Sequence, residues 1–570
     1  MTRTPRARLW RSTLAVSAAI AVTAGVVAAA PDAKKAKAPA GPKLSLIAAS
    51  KSVNLDRWPD APGVWLDLGT YVTSQGSPFE FKVTRKSYKD PIVAQQIIRS
   101  GTKTTVKTLP KGLVKDFQGL PGFIDVSITD AAGKTVVTQS ETFCPNNASG
   151  RVSPTAPAKS KFPESCPTNP FTLGSVWGVE NGWASNTYSG HYDRTVDLAP
   201  GKYTAKISVA KKYRDLFGIA NKPQTVKVNV IERKPDPEGP GGGVGRSSKA
   251  AGAHDHHASH GKLQPPATLG QATSGTAPTY NVGHGPNPPA PPALPWALKT
   301  AARTTFNLGD KPGQTDGSRR APAQKPNAKP PTGKAKVPNV PKPDLRSLPA
   351  FGIQIVDGKQ YDAPGKDFVA FSANVWNAGP ARLVVDGFRK PGAELMNAYQ
   401  YFYDAKGKQV GYTPSGTMEW DPRPGHVHWH FTDFASYRLL KADQKEAVRS
   451  GKEAFCLANT DAVDYTVKGA NWHPFNTDLS TACGWETSIS VREVLDVGSG
   501  DTYTQDLPDQ SFDITDLPNG TYWIQVLANP EKRLKETSTS NNSALRKIVL
   551  GGKPGARTVT VPAHGLVNAN

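Results

Sequence analysis

Residues 419–430 read Glu-Trp-Asp-Pro-Arg-Pro-Gly-His-Val-His-Trp-His, so His426, His428 and His430 place three imidazoles on alternate positions. Imidazole nitrogen is a common ligand for copper and zinc, and three such donors within five residues form a candidate metal site. Alternate positions share one face of a strand, which sends the three rings one way and Val427 and Trp429 the other, toward a core. At roughly 3.3 Å per residue, a flat strand would hold His426 and His430 about 13 Å apart, too far for one ion. Binding of a single ion therefore needs a bent backbone, which Pro422, Pro424 and Gly425 allow. The competing reading is a solvated edge strand that carries histidine.

Further residues follow in a definite order: Phe-Thr-Asp-Phe-Ala-Ser-Tyr-Arg-Leu-Leu at 431–440, Gly-Lys-Glu-Ala-Phe-Cys-Leu at 451–457, and Asp-Thr-Tyr at 501–503. Phe-Asp-Ile-Thr-Asp-Leu at 512–517, Asn529-Pro530, Glu536 and Asn541-Asn542 complete the series. Over residues 345–552 this order resembles the catalytic domain of the lysyl oxidases. The resemblance implies that His426, His428 and His430 hold copper, with Glu419 and Trp420 just upstream. It also implies a cofactor made from the chain itself, lysine tyrosylquinone, joining Lys452 to Tyr503.

The chemistry implied explains the residue types. Oxidation of the Tyr503 phenol by copper and dioxygen gives an electrophilic ring, to which the ε-amine of Lys452 adds as a nucleophile. That amine must be neutral, which burial or the copper charge would favour by lowering its pKa. A primary amine substrate would leave as an aldehyde, with ammonia and hydrogen peroxide. Asp433, Asp501 and His473 are the candidate general bases by their place in the motifs. Taken alone, Lys452 reads as a solvated residue and Tyr503 as a sheet-packing tyrosine; their order after the histidines singles them out. The chain departs from animal members at Gly425, where they carry a half-cystine, and in a longer interval between Cys483 and Tyr503.

The elements that must position these groups read as mainly β. Residues 44–233 contain period-two runs such as 79–84, 123–128 and 203–209, broken by Gly, Pro and Asn, and predict a β-sandwich. In residues 345–552, the runs 368–376, 521–527 and 545–550 predict strands, and residues 437–450 predict a helix with Leu439, Leu440 and Ala447 inward. Residues 192–203 and 512–522 echo one another, each a turn leading into a strand with a tyrosine near its start, a feature of sandwich domains.

The chain has 570 residues, 37% of them hydrophobic, which is too long for one core. Residues 1–30 read as a signal peptide, with Arg3, Arg6, Arg8 and Arg11 before an apolar run at 14–27 and Ala28-Ala29-Ala30. No later apolar stretch is long enough to span a bilayer, so no membrane span is expected after cleavage. Residues 234–343 are rich in Pro, Gly and Lys and read as a disordered linker. Within it His254, His256, His257 and His260 could gather copper or zinc, or simply be solvated. Residues 553–570 read as a tail.

Four cysteines fall as one pair in each half, Cys144 with Cys166 and Cys456 with Cys483, and in an exported chain they are expected as disulfides. The net charge of +22 suggests acidic cell-surface polymers as partners. No zinc-finger spacing, helix-turn-helix pattern or aromatic RNA-binding signature supports nucleic acid. The expectation is a secreted, wall-associated or freely extracellular copper amine oxidase acting on primary amines, including lysine side chains of exported proteins. The alternative is a secreted adhesion protein that binds metal without turnover.

Overall fold

The computed structural model describes residues 41–57, 63–147, 150–188, 195–233, 329–361, 363–421, 428–451, 454–472, 483–484, 486–505 and 510–564. The expected signal peptide and most of the expected linker, with its histidine tract, lie outside these residues. The described residues cluster as one compact unit with two main hydrophobic cores, and the fold is mainly β.

The first core lies among three sheets. Five strands run in the order Ser52–Arg57, Gln224–Glu232, Gly201–Val209, Leu120–Thr129 and Thr135–Phe143, all antiparallel except the pair of the first two. Two four-stranded sheets complete it. Alternation explains the packing: in Gln224–Glu232, Val226, Val228 and Val230 are buried while Lys227 is exposed.

The second core lies among three further sheets. One carries the histidines, in the order Ala454–Phe455, His428–Thr432, Gln409–Asp421, Met396–Tyr403, Leu383–Arg389 and Ser490–Leu495. A second is built on Asp367–Asn377, which pairs with Ser499–Gln505, the strand that bears Tyr503. The third runs Glu446–Arg449, Ala435–Lys441, Gly520–Ala528, Ser543–Lys553 and Ala556–Thr560, so residues beyond 553 add a strand.

The helix expected over 437–450 is not formed. Residues 435–449 make a hairpin of Ala435–Lys441 and Glu446–Arg449, turned at Gln444, whose φ is 61°. Tyr437 and Leu439 are buried at alternate positions in register with Val526 and Ile524. The pairing edge of Gly520–Ala528 outweighs the helix preference of the Leu, Lys, Ala and Glu residues here.

The two echoed segments do share a device. Tyr203 donates its hydroxyl to the Ala199 carbonyl at 2.9 Å, and Tyr522 to the Pro518 carbonyl at 2.8 Å, each four residues back. Both ring hydroxyls thus pin the chain as it enters a strand.

Candidate metal and tyrosine site

His428 and His430 sit on a short strand, His428–Thr432, that alternates strictly. Trp429 and Phe431 enter the core, 0% and 1% exposed, and Trp429 lies 6.0 Å from Trp420 between ring centroids. The two histidines turn the other way and are also buried, at 4% and 1%. Their Nε2 atoms converge to 2.7 Å with ring planes 84° apart.

This pair fits a metal in the chemistry of its donors. Two buried nitrogens aimed at one point can share an ion at the usual nitrogen distance of roughly 2 Å. Behind them, Asp421 pairs in register with His428, and its carboxylate lies 3.5 Å from Nδ1 of His430. A carboxylate behind an imidazole favours the tautomer that turns the far nitrogen toward a metal. His426 lies outside the described residues, and among those described no group of three or more His, Cys, Asp or Glu side chains could hold a metal.

Tyr503 approaches this strand from the neighbouring sheet. The edge strand Ala454–Phe455 pairs with the histidine strand, Phe455 opposite Phe431. The Phe455 ring meets Tyr503 edge-on at 5.0 Å, and the Tyr503 hydroxyl donates to the Cys456 carbonyl at 2.5 Å. Lys452, two residues before Ala454, lies outside the described residues. The described contacts thus bring Tyr503 to the segment that follows Lys452, and they join it to the histidine strand through Phe455.

Cys456 is tied in a second way. It is disulfide-bonded to Cys483, whose carbonyl accepts from the Trp429 amide at 3.0 Å. The bridge therefore fastens the segment after Lys452 to the strand between the two histidines. The other expected disulfide, Cys144 with Cys166, is also formed.

Acidic groups surround the phenol. Glu493, fully buried, accepts from the Leu457 amide at 2.9 Å, and the Asp501 carboxylate lies 3.4 Å from the Ala458 amide. Burial pushes the Tyr503 phenol well up from its ordinary value, and the charges of Asp501 and Glu493 and the nearby Tyr437 add to this. Burial also holds the Tyr437 phenol protonated.

Of the three candidate bases, Asp501 is placed beside Tyr503. Asp433 sits at a turn with φ 61° and pairs with Arg533 at 2.6 Å. His473 lies outside the described residues. Asp421, Glu493 and Tyr437 were not singled out from sequence. The signal was present for Glu493: Arg492-Glu493 interrupts an apolar strand, and both are buried, Arg492 against Asp386 at 2.5 Å.

Other motif residues build the domain rather than the site. Glu536 accepts from the side chains of Asn529 and Asn542 at 2.7 and 2.8 Å and from the Leu345 amide at 2.9 Å. Burial raises its pKa despite these bonds.

Residues 404–559 match the lysyl oxidase family. The chain is 34% identical over 125 residues to the protein-lysine 6-oxidase of Sus scrofa, covering 22% of this chain and 44% of that protein. It is 28% identical over 130 residues to lysyl oxidase homolog 3B of Danio rerio, covering 23% and 14%, and 28% over 129 residues to lysyl oxidase homolog 2 of Gallus gallus, covering 22% and 15%. The chain thus spans less than half the length of each of these relatives.

Proposed function

We propose that this chain, whose C-terminal part is a domain of the lysyl oxidase family, is a secreted copper-dependent amine oxidase. It would convert a primary amine, dioxygen and water to an aldehyde, ammonia and hydrogen peroxide. The observation that carries the reading is the convergence of the His428 and His430 nitrogens beside the segment to which Tyr503 is bonded.

In this reading His426, His428 and His430 hold copper, while Lys452 and Tyr503 form lysine tyrosylquinone. The bound copper and the quinone would supply redox exchange with dioxygen and an electrophilic carbonyl for the amine. The chain's own residues do the rest. Asp421 orients the His430 ring, and Trp429 and Phe431 seal the other side of the strand from water. The Cys456 carbonyl and the Phe455 ring set the direction of the phenol. Asp501, whose charge acts on the Tyr503 phenol, would be the carboxylate that takes a proton there.

Lysine side chains of exported proteins are the proposed substrates, in keeping with the printed name of the porcine relative. Two disulfides support an oxidising compartment. Amine-dependent peroxide release and a quinone absorbance band test the proposal. Tyr503→Phe and Lys452→Arg should each abolish the band with copper still bound; a band that persists in either variant would overturn the cofactor assignment. A metal-binding protein without turnover would bind copper and release no peroxide.

A further inference from the structure

A short hook, residues 169–174, leaves the first, three-sheet core and bonds to the segment that follows Cys456. The Leu173 amide donates to the Val463 carbonyl at 2.8 Å and the Tyr465 amide to the Gly174 carbonyl at 3.0 Å, a strand-like exchange across almost three hundred residues of chain. Thr172 Oγ1 donates to the Ala462 carbonyl at 3.1 Å, and Asn169 Nδ2 lies 3.4 Å from the Asp461 carboxylate. Phe171, fully buried, packs among Leu348, Phe351, Trp376 and Val463. At Gly174 a Cβ would collide with the side chains of Asp464 and Thr466, so the close approach requires glycine.

The hook is braced from its own side. Arg85 donates to the carbonyls of Thr172 and Pro170 at 2.9 and 2.7 Å, and its guanidinium stacks over Tyr88, which meets Phe171 edge-on at 5.7 Å. Burial here pushes the Tyr88 phenol up to about 12.

What the hook holds leads directly to Tyr503. Asp461 pairs in register with Gly500 and accepts a short hydrogen bond from the Thr502 hydroxyl. Thr460 Oγ1 accepts from the Thr502 amide at 2.6 Å, and the amides of Val463 and Asp464 both donate to the Gly498 carbonyl, at 3.0 and 2.9 Å. Residues 460–464 thus clamp the strand Ser499–Gln505 one residue before Tyr503. We propose that the N-terminal three-sheet part of the chain is a positioning device for Tyr503: its hook, with Asn169, Phe171 and Gly174, holds the clamp in register on the tyrosine strand. The proposal deepens the oxidase reading and rests on it only for the role of Tyr503; the coupling of hook to strand stands on the contacts alone.

Hydrogen exchange on the full-length, copper-loaded chain tests it. Phe171→Asp and Gly174→Val should speed exchange at least about tenfold in residues 461–465 and 499–505 while Gln224–Glu232, in the first core, stays protected. Quinone per bound copper should fall with copper content unchanged, and Phe171→Leu should restore both readouts. If either variant loses protection in Gln224–Glu232 as well, the double variant Asn169→Ala, Thr172→Val decides by the same criterion. Exposure of 461–465 with 499–505 still protected would overturn the proposal. Coupled exchange in a wild type that forms no quinone would uphold the coupling and defeat the oxidase reading instead.

Discussion

At the residue scale the site depends on side chains whose partners are fixed by strand alternation. The histidine pair was legible because two residues on one strand face are neighbours by local geometry alone. Asp421 was not, since its place opposite His428 depends on the register between two strands. A carboxylate behind an imidazole ligand contributes about 10–100-fold in metal affinity, so Asp421→Asn should weaken copper binding by that factor, measured by competition with a chelator. His430→Ala should weaken it further. The buried phenols carry a pH prediction. In copper-free protein, where both are still phenols, Tyr437 and Tyr503 have folded pKa values raised above the ordinary 10.0, so their contribution to stability is complete below that pH and is lost as pH rises from it through their raised folded values, because the unfolded chain ionises first. The urea midpoint should therefore fall steeply above about pH 10, and less steeply in Tyr437→Phe.

At the element scale, the period-two runs were readable where one strand face is buried, as in Gly201–Val209 and Gly520–Ala528. Residues 437–450 were misread because their composition favours a helix while their destination is an edge of Gly520–Ala528, which lies some eighty residues later. Leu439 is fully buried in the resulting pairing, so Leu439→Ala should cost about 2–5 kcal/mol in denaturant unfolding. The disulfide Cys456–Cys483 closes a separation of 27 residues around the site. Replacing both cysteines by serine should cost about 3 kcal/mol on the chain-entropy model, and should loosen the segment after Lys452 against the histidine strand. Chemical denaturation of the oxidised wild type against the double variant measures the first effect, and exchange in residues 454–460 the second.

At the scale of the whole molecule, the mainly β character and the likeness of residues 404–559 to the lysyl oxidase family could be read from sequence, but the bonding of the two halves could not. The hook uses mostly backbone groups, which every residue carries, and joins positions such as 173 and 463 with no local signal. Phe171 looks like any apolar residue until its pocket is assembled from Leu348, Phe351, Trp376 and Val463. Charge acts over the same scale. The formal excess of +22 should draw the protein to acidic polysaccharide at low ionic strength. Screening beyond about 8 Å at physiological salt should weaken that binding steeply, so retention on an anionic matrix that did not change with salt would contradict an electrostatic origin.

The central claim is that an amine and a phenol of this chain are joined beside the histidine pair. Peptide mass mapping of copper-loaded protein tests it most directly. The peptides bearing Lys452 and Tyr503 should be recovered as one covalently linked species. Recovery of both as separate, unmodified peptides from protein with a full complement of copper would contradict it.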